Sequence, residues 1–150
     1  MSIKVAHIIE AFKEIPFNKM LGLELDNANP QQLILRFNMK NELIGNFYQG
    51  ILHGGVISSV LDMAGGMAVM LSALEKHPHA SQAELLNIIG HCSTVDLQIS
   101  YINPGRGKFF TATASLIKSG NFISFTRSEL FNDTEQLIAH AHASYLLKSL

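Results

Sequence analysis

The sequence predicts an α+β fold in which a mainly antiparallel sheet wraps one long central helix, and two observations predict it. The stretch Ile51 to Leu74, ILHGGVISSVLDMAGGMAVMLSAL, is apolar or small throughout apart from one carboxylate, Asp62, and one histidine, His53. A segment apolar on every face belongs inside a protein or inside a bilayer. From Thr94 onward the hydropathy period drops to two, and the strands it marks come in a group instead of alternating with helices. Grouped strands around a buried helix give a mainly antiparallel sheet.

Totals bound the alternatives. A chain of 150 residues is about one domain and buries roughly two thirds of the surface its unfolded form exposes. With no internal repeat, linker or low-complexity tract, one domain is expected over 1–150. Eleven basic against 12 acidic residues leave a charge of −1, without a basic run, which argues against a nucleic-acid or anionic-membrane partner. The single cysteine, Cys92, has no partner within the chain, and MSIKVAHIIEAFKEI mixes charges into its apolar residues where a signal peptide would have an unbroken core. A reducing, cytoplasmic setting is expected. Residues 51–74 are long enough to cross a bilayer, but Asp62 near their centre would cost about 2.5 to 3.5 kcal/mol there, and neither flank carries a basic cluster. The bilayer reading is therefore set aside. Apolar residues at 47% against 15% charged imply a large core or apolar surface against a partner subunit.

Taken in order, Val5, Ile8, Ile9 and Phe12 stand at helical spacing and predict a short amphipathic helix over 3–14, ended by Pro16. Leu23 and Leu25 alternate with Glu24 and Asp26 before NANP breaks the run. In QQLILRFNM, Leu33, Leu35 and Phe37 share one face, so two antiparallel strands meet at that turn. KNELIGNFYQG has no clean period. The long helix starts at Gly54 or Gly55, with Ile57, Leu61, Ala64, Ala68 and Leu71 on an apolar face and Ser58, Asp62, Gly65 or Gly66, and Val69 on a small-residue face. After the KHPHA loop, Ser81 with Glu84 three residues later fits a capping box for a short helix stopped at Gly90. Val95, Leu97, Ile99 and Tyr101 then alternate with Asp96, Gln98 and Ser100. Further strands follow over 108–118, 121–132 and 136–147.

A buried helix that starts on a glycine pair offers free backbone N–H groups and the positive end of the helix dipole to a carbonyl oxygen gaining negative charge. Asp62, about two turns on, is a carboxylate suited to attacking an activated ester directly or through a water. The plainer reading is that Gly54 and Gly55 permit close packing while Asp62 pairs with a Lys or Arg. His140 and His142 share a strand face without an acidic or thiol partner at ligand spacing, so no metal site is expected. His91 with Cys92 lacks any nucleophile context, and Cys92 reads as a small buried residue. The glycines fit neither a phosphate loop nor a dinucleotide fingerprint.

HGGV followed by LD, with Asp62 nine residues after His53, resembles the core motif of hot-dog-fold acyl-CoA thioesterases of the phenylacetate-pathway (PaaI-like) type, in the 4-hydroxybenzoyl-CoA thioesterase superfamily. The element order from 22 to 147 and the strand TVDLQISYINP are similar to the family's as well. The resemblance implies acyl-CoA hydrolysis to the free acid and CoA, with no cofactor beyond the coenzyme A of the substrate. It implies Asp62 as nucleophile or general base, the Gly55 amide as the group polarising the thioester carbonyl, and His53 shaping the turn beside Gly54. Thr94, with Ser93 next to it, resembles the position where the family places a hydroxyl near the carboxylate of the partner subunit to hold the water. The family's Asn six residues before the His is here Phe47, which leaves Asn46 and Gln49 as candidates for its role. The resemblance implies a homodimer with active sites across the interface, or a homotetramer built from it, in which Ser58, Gly65 and Gly66 leave room for the partner and the thioester. Arg106, Lys108, Lys118 and Arg127 are the cations near strand turns for the phosphates. The 76–90 segment is expected to line the acyl pocket. A non-catalytic acyl-CoA-binding module, or a hydratase or dehydratase of acyl thioesters, are the rival readings.

Overall fold

The computed structural model describes residues 3–147. Two N-terminal helices, α1 (Ile3–Glu14) and α2 (Pro16–Leu21), lead into strands β1 (Glu24–Asn29) and β2 (Gln32–Asn38). A 3-10 turn (Asn41–Leu43) and two very short strands, β3 (Ile44–Asn46) and β4 (Ile51–Leu52), deliver the chain to helix α3 (Gly54–Lys76). Helix α4 (Gln82–Gly90) and strands β5 (Ser93–Tyr101), β6 (Phe109–Ser119), β7 (Ile123–Asn132) and β8 (Leu137–Leu146) complete the order. Pro16 does not only end a helix; it opens one, since a proline at the first helical position gives up an N–H that has no partner there anyway. That helix closes on Gly22, whose φ of 71° is the left-handed conformation glycine adopts without penalty.

All six long strands form one antiparallel sheet in the order β1-β2-β6-β7-β8-β5. It curls around α3, which touches β6, β7, β8, β5, β2 and β1. Period-two patterning puts Leu33, Leu35, Phe37, Phe110, Leu130, Ala139 and Ala141 on the inner face, where they pack with Ile57, Val60, Leu61, Ala64, Met67, Ala68 and Leu71 of the helix. Alanines at 112, 114, 139 and 141 keep the sheet surface low where the helix crosses it. Phe37 and Phe110 face each other in register and stack at 5.3 Å. The apolar stretch that could pass for a membrane span is 67% buried over its most apolar window, inside its own sheet.

A second cluster closes the far end of α3. Leu85 and Ile88 of α4 are buried there with Val69, Ala73, Ala143, Tyr145 and Leu147. The capping box forms as the spacing predicts: the Ser81 side chain accepts from the Glu84 N–H, and Glu84 returns to the Ser81 backbone. The 76–90 segment is thus anchored through Leu85 and Ile88, while most of its other residues are exposed.

Candidate active site

Asp62 sits half-buried on α3 and finds hydroxyls, not cations. Thr94 donates from Oγ1 to Asp62 Oδ1 at 2.9 Å. The Tyr145 phenol is 2.8 Å from the Asp62 backbone oxygen and 3.1 Å from Oδ1. The salt bridges among the described residues are Lys19 with Glu14, Arg36 with Asp26 and Arg127 with Glu129, so the pairing of Asp62 with a Lys or Arg is not found among them.

Thr94 reaches Asp62 because the strand is irregular. Strict alternation with Leu97 would turn Thr94 to the outer face, but the β5–β8 register shifts between Thr94 and Asp96, leaving Val95 as the extra residue. This bulge re-aims Thr94 inward and makes it the cross-strand partner of Tyr145. Val95, which the alternation groups with Leu97 and Ile99, is 59% exposed. Within this chain Thr94 approaches its own Asp62, where the resemblance implied the carboxylate of a second subunit. Ser93 is exposed at the start of β5 and pairs with Leu146.

Tyr145 is the residue sequence reasoning missed. It is 1% exposed, and burial first, then the neighbouring Asp62 charge, pushes its phenol above the ordinary tyrosine range. The same two causes push the Cys92 thiol up to about 11. A β-carbon on Gly65 would stand 2.4 Å from the Tyr145 hydroxyl and 2.7 Å from Thr126 Oγ1, and one on Gly66 would stand 3.4 Å from the tyrosine ring. The glycine pair expected to make room for a partner and a thioester therefore makes room for this chain's own tyrosine. Its sequence signal was the single phenol on a strand whose other inward residues, Ala139, Ala141 and Ala143, are small.

At the helix start, His53 is the N-cap: Gly55 donates its N–H to His53 Nδ1 at 2.8 Å. Ser58 and Ser59 turn back on the Gly55 carbonyl, at 2.9 and 2.7 Å. The Tyr101 hydroxyl donates to the Gly54 carbonyl at 3.2 Å. Gly54, Ile57, Leu52 and Tyr101 line a hollow of about 320 Å³ that continues to Gly105. Asn46 holds the turn before it, accepting from the Gln49 N–H at its Oδ1, 3.2 Å away.

Arg106 has a partner within the chain: its guanidinium donates to the Gln49 carbonyl at 2.7 Å and to Gln49 Oε1 at 3.1 Å, which brings together two residues that the sequence offered for substrate binding. Lys118 pairs with Phe125, and Arg127 lies between Ser115 and His142; these rows lie on the face of the sheet turned away from α3. His140 and His142 meet there edge to face at 5.8 Å.

A carboxylate fixed by hydroxyls and a glycine-started helix suit attack on an activated carbonyl. Residues 49–139 match the model of the Thioesterase superfamily. The chain is 43% identical, over 89% of its length and 86% of the relative, to the medium/long-chain acyl-CoA thioesterase YigI of Salmonella typhimurium. It is 41% identical over the same shares to the protein of that name from Escherichia coli K12. A solved protein from Shewanella oneidensis, described as related to the thioesterase superfamily, superposes with a TM-score of 0.89 at 34% identity, covering 98% of this chain and 99% of that one.

Proposed function

The chain belongs to the thioesterase superfamily, with its hot-dog fold, and on that premise we propose that it hydrolyses medium- or long-chain acyl-CoA to the fatty acid and CoA, with Asp62 as the catalytic carboxylate. The enzyme is a thioester hydrolase; the substrate class follows its relatives named for medium/long-chain acyl-CoA. The observation that carries the role of Asp62 is its placement: a half-buried carboxylate held by Thr94 and Tyr145, without a neutralising cation among the described residues. It attacks the thioester carbon directly, to give an acyl anhydride that water cleaves, or takes a proton from a water that attacks.

The developing oxyanion needs donors at about 3 Å, and the Gly55 amide is the candidate. In the free protein that amide serves the His53 cap, so the thioester oxygen takes over or shares a donor now held by the ring. Asp62 lies seven residues beyond Gly55, about 10 Å along the helix axis at 1.5 Å per residue. One carbonyl group contacting both would span about 6 Å at most, so the two groups act together only when they come from different copies. This supports a homodimer with two composite sites. The exposed edge of β5, with Val95, Tyr101 and Ile102 at 49–59% exposure, and the stacked, exposed pair Phe47 and Tyr48 supply apolar surface for it.

Asp62→Asn is expected to abolish CoA release from decanoyl- and palmitoyl-CoA, followed with a thiol reagent, while circular dichroism keeps its native form. An undiminished rate overturns the assignment. A monomeric mass by light scattering at full turnover overturns the composite site.

A further inference from the structure

Both hydroxyls at Asp62 converge on the same oxygen. Thr94 Oγ1 lies 2.9 Å from Oδ1 and the Tyr145 phenol 3.1 Å from it, while Oδ2 receives no hydrogen bond among the described residues. A carboxylate oxygen offers about two lone-pair sites, so Oδ1 is filled and Oδ2 keeps both of its own. The two donors are delivered as a unit, since Thr94 and Tyr145 are directly opposed on β5 and β8; directly opposed side chains on one face of an antiparallel pair stand about 5 Å apart at Cβ.

We propose that Asp62 Oδ2 is the reacting oxygen and that Tyr145 is a positioning residue for the hydrolysis, fixing the carboxylate through Oδ1 so that Oδ2 faces the substrate. The proposal rests on the reading of Asp62 as the catalytic carboxylate. In direct attack, Oδ2 bonds to the carbonyl carbon, the C–S bond breaks, and the CoA thiolate leaves with the electron pair; water then cleaves the anhydride and restores the carboxylate. In the water route, Oδ2 takes a proton from the attacking water, and the departing thiolate recovers it.

Tyr145 is suited to the task by its second acceptor. Its single proton lies between Oδ1 and the Asp62 backbone oxygen, 2.8 Å away. When reaction at Oδ2 consumes the negative charge, Oδ1 becomes a poorer acceptor, and the phenol turns its proton to the backbone without losing a hydrogen bond. Gly65 is what allows this approach, because any β-carbon there would collide with the phenol oxygen. The Thr126 hydroxyl, on a fully buried residue, would stand 2.7 Å from the same β-carbon.

The titratable groups set against the carboxylate among the described residues are the Tyr145 phenol and the Cys92 thiol, both protonated at neutral pH. Asp96, on β5, pairs with Ser144 on the outer face. The acid limb of kcat against pH, compared between the parent and its variants, is the readout. Removing a donor to a carboxylate favours its neutral form, so Tyr145→Phe is expected to move that limb up by about one pH unit and to lower kcat roughly tenfold or more, with KM nearly unchanged. An unmoved limb, whether stability falls or not, overturns the proposal while inactive Asp62→Asn still upholds the reading beneath it. An active Asp62→Asn overturns that reading and the proposal together. If Tyr145→Phe does not fold, 3-fluorotyrosine placed at 145 keeps the shape with a stronger donor and is expected to move the limb down; no movement is again the overturning result.

Discussion

The first turn of α3 and its middle hold their functional groups in opposite ways. The first turn is open: His53 and Gly55 are exposed, the cap is a single bond from the Gly55 N–H to a ring nitrogen, and Tyr101 touches Gly54 from a half-exposed position. The middle is more enclosed: half-buried Asp62 is held by the exposed Thr94 of β5 and by the buried Tyr145 of β8, which belongs to the core cluster with Leu85, Ile88 and Val69. An oxyanion donor has to exchange its partner for substrate in each turnover, whereas a catalytic carboxylate has to keep its orientation. The helix gives the first task to backbone at a loosely capped end and the second to side chains of two paired strands, one of them anchored in a core.

Glycine substitutions test that contrast most severely. Gly65→Val forces a β-carbon to within 2.4 Å of the Tyr145 hydroxyl and 2.7 Å of Thr126, and overpacking of this kind costs about 3 kcal/mol, or roughly 10 °C in Tm for a domain of this size. Gly54→Ala meets only the Tyr101 ring at 3.4 Å, an ordinary contact, and is expected to stay within about 0.5 kcal/mol of the parent. Equal losses for the two in thermal unfolding would erase the distinction between the ends.

Cysteine chemistry sharpens it further. With its pKa at about 11 through burial and then the Asp62 charge, the Cys92 thiol is about a hundredfold poorer in thiolate at pH 8 than an ordinary cysteine and should react with iodoacetamide correspondingly slowly. Asp62→Asn removes the second of those causes, so alkylation should accelerate in that variant; an unchanged rate would separate Cys92 from the enclosed site.

Loss of the cap at the open end should also have a small effect. His53→Ala removes the N-cap, which is worth about 1 kcal/mol, or about 3 °C in Tm. A loss as large as that of Gly65→Val would make the first turn as rigidly held as the middle.

Elements with a long, regular period were legible in the sequence. The bounds of α3, the Ser81–Glu84 capping box and the four late strands follow from residue spacing alone, and the importance of Asp62 from its isolation in an apolar run. What escaped depends on neighbours that local pattern does not carry. Strands β3 and β4 have three and two residues and stabilise each other through pairing, too short for any period. Proline at 16 is compatible with a helix end or a helix start, and only the buried Leu21 and Asn18 beyond it decide. Thr94 was found through resemblance, while alternation alone would have turned it outward; the bulge at Val95 is a feature of pairing with β8, not of β5. Tyr145 escaped because 83 residues separate it from Asp62, and the Gly65–Gly66 pair reads equally well as space for a second subunit until the register of β8 is known.

The strand order also sets a schedule for biosynthesis. Strand β5 has one neighbour in the sheet, β8, and β8 begins at residue 137 while β5 ends at 101. A growing chain emerging from the ribosome has therefore made both Asp62 and Thr94 long before anything exists for β5 to pair with. The bulge that aims Thr94, and the phenol that steadies the carboxylate, both arrive with that last central strand. Nascent chains should pass through most of translation with the carboxylate present but its surroundings unassembled, so the onset of catalysis would coincide with closure of the sheet.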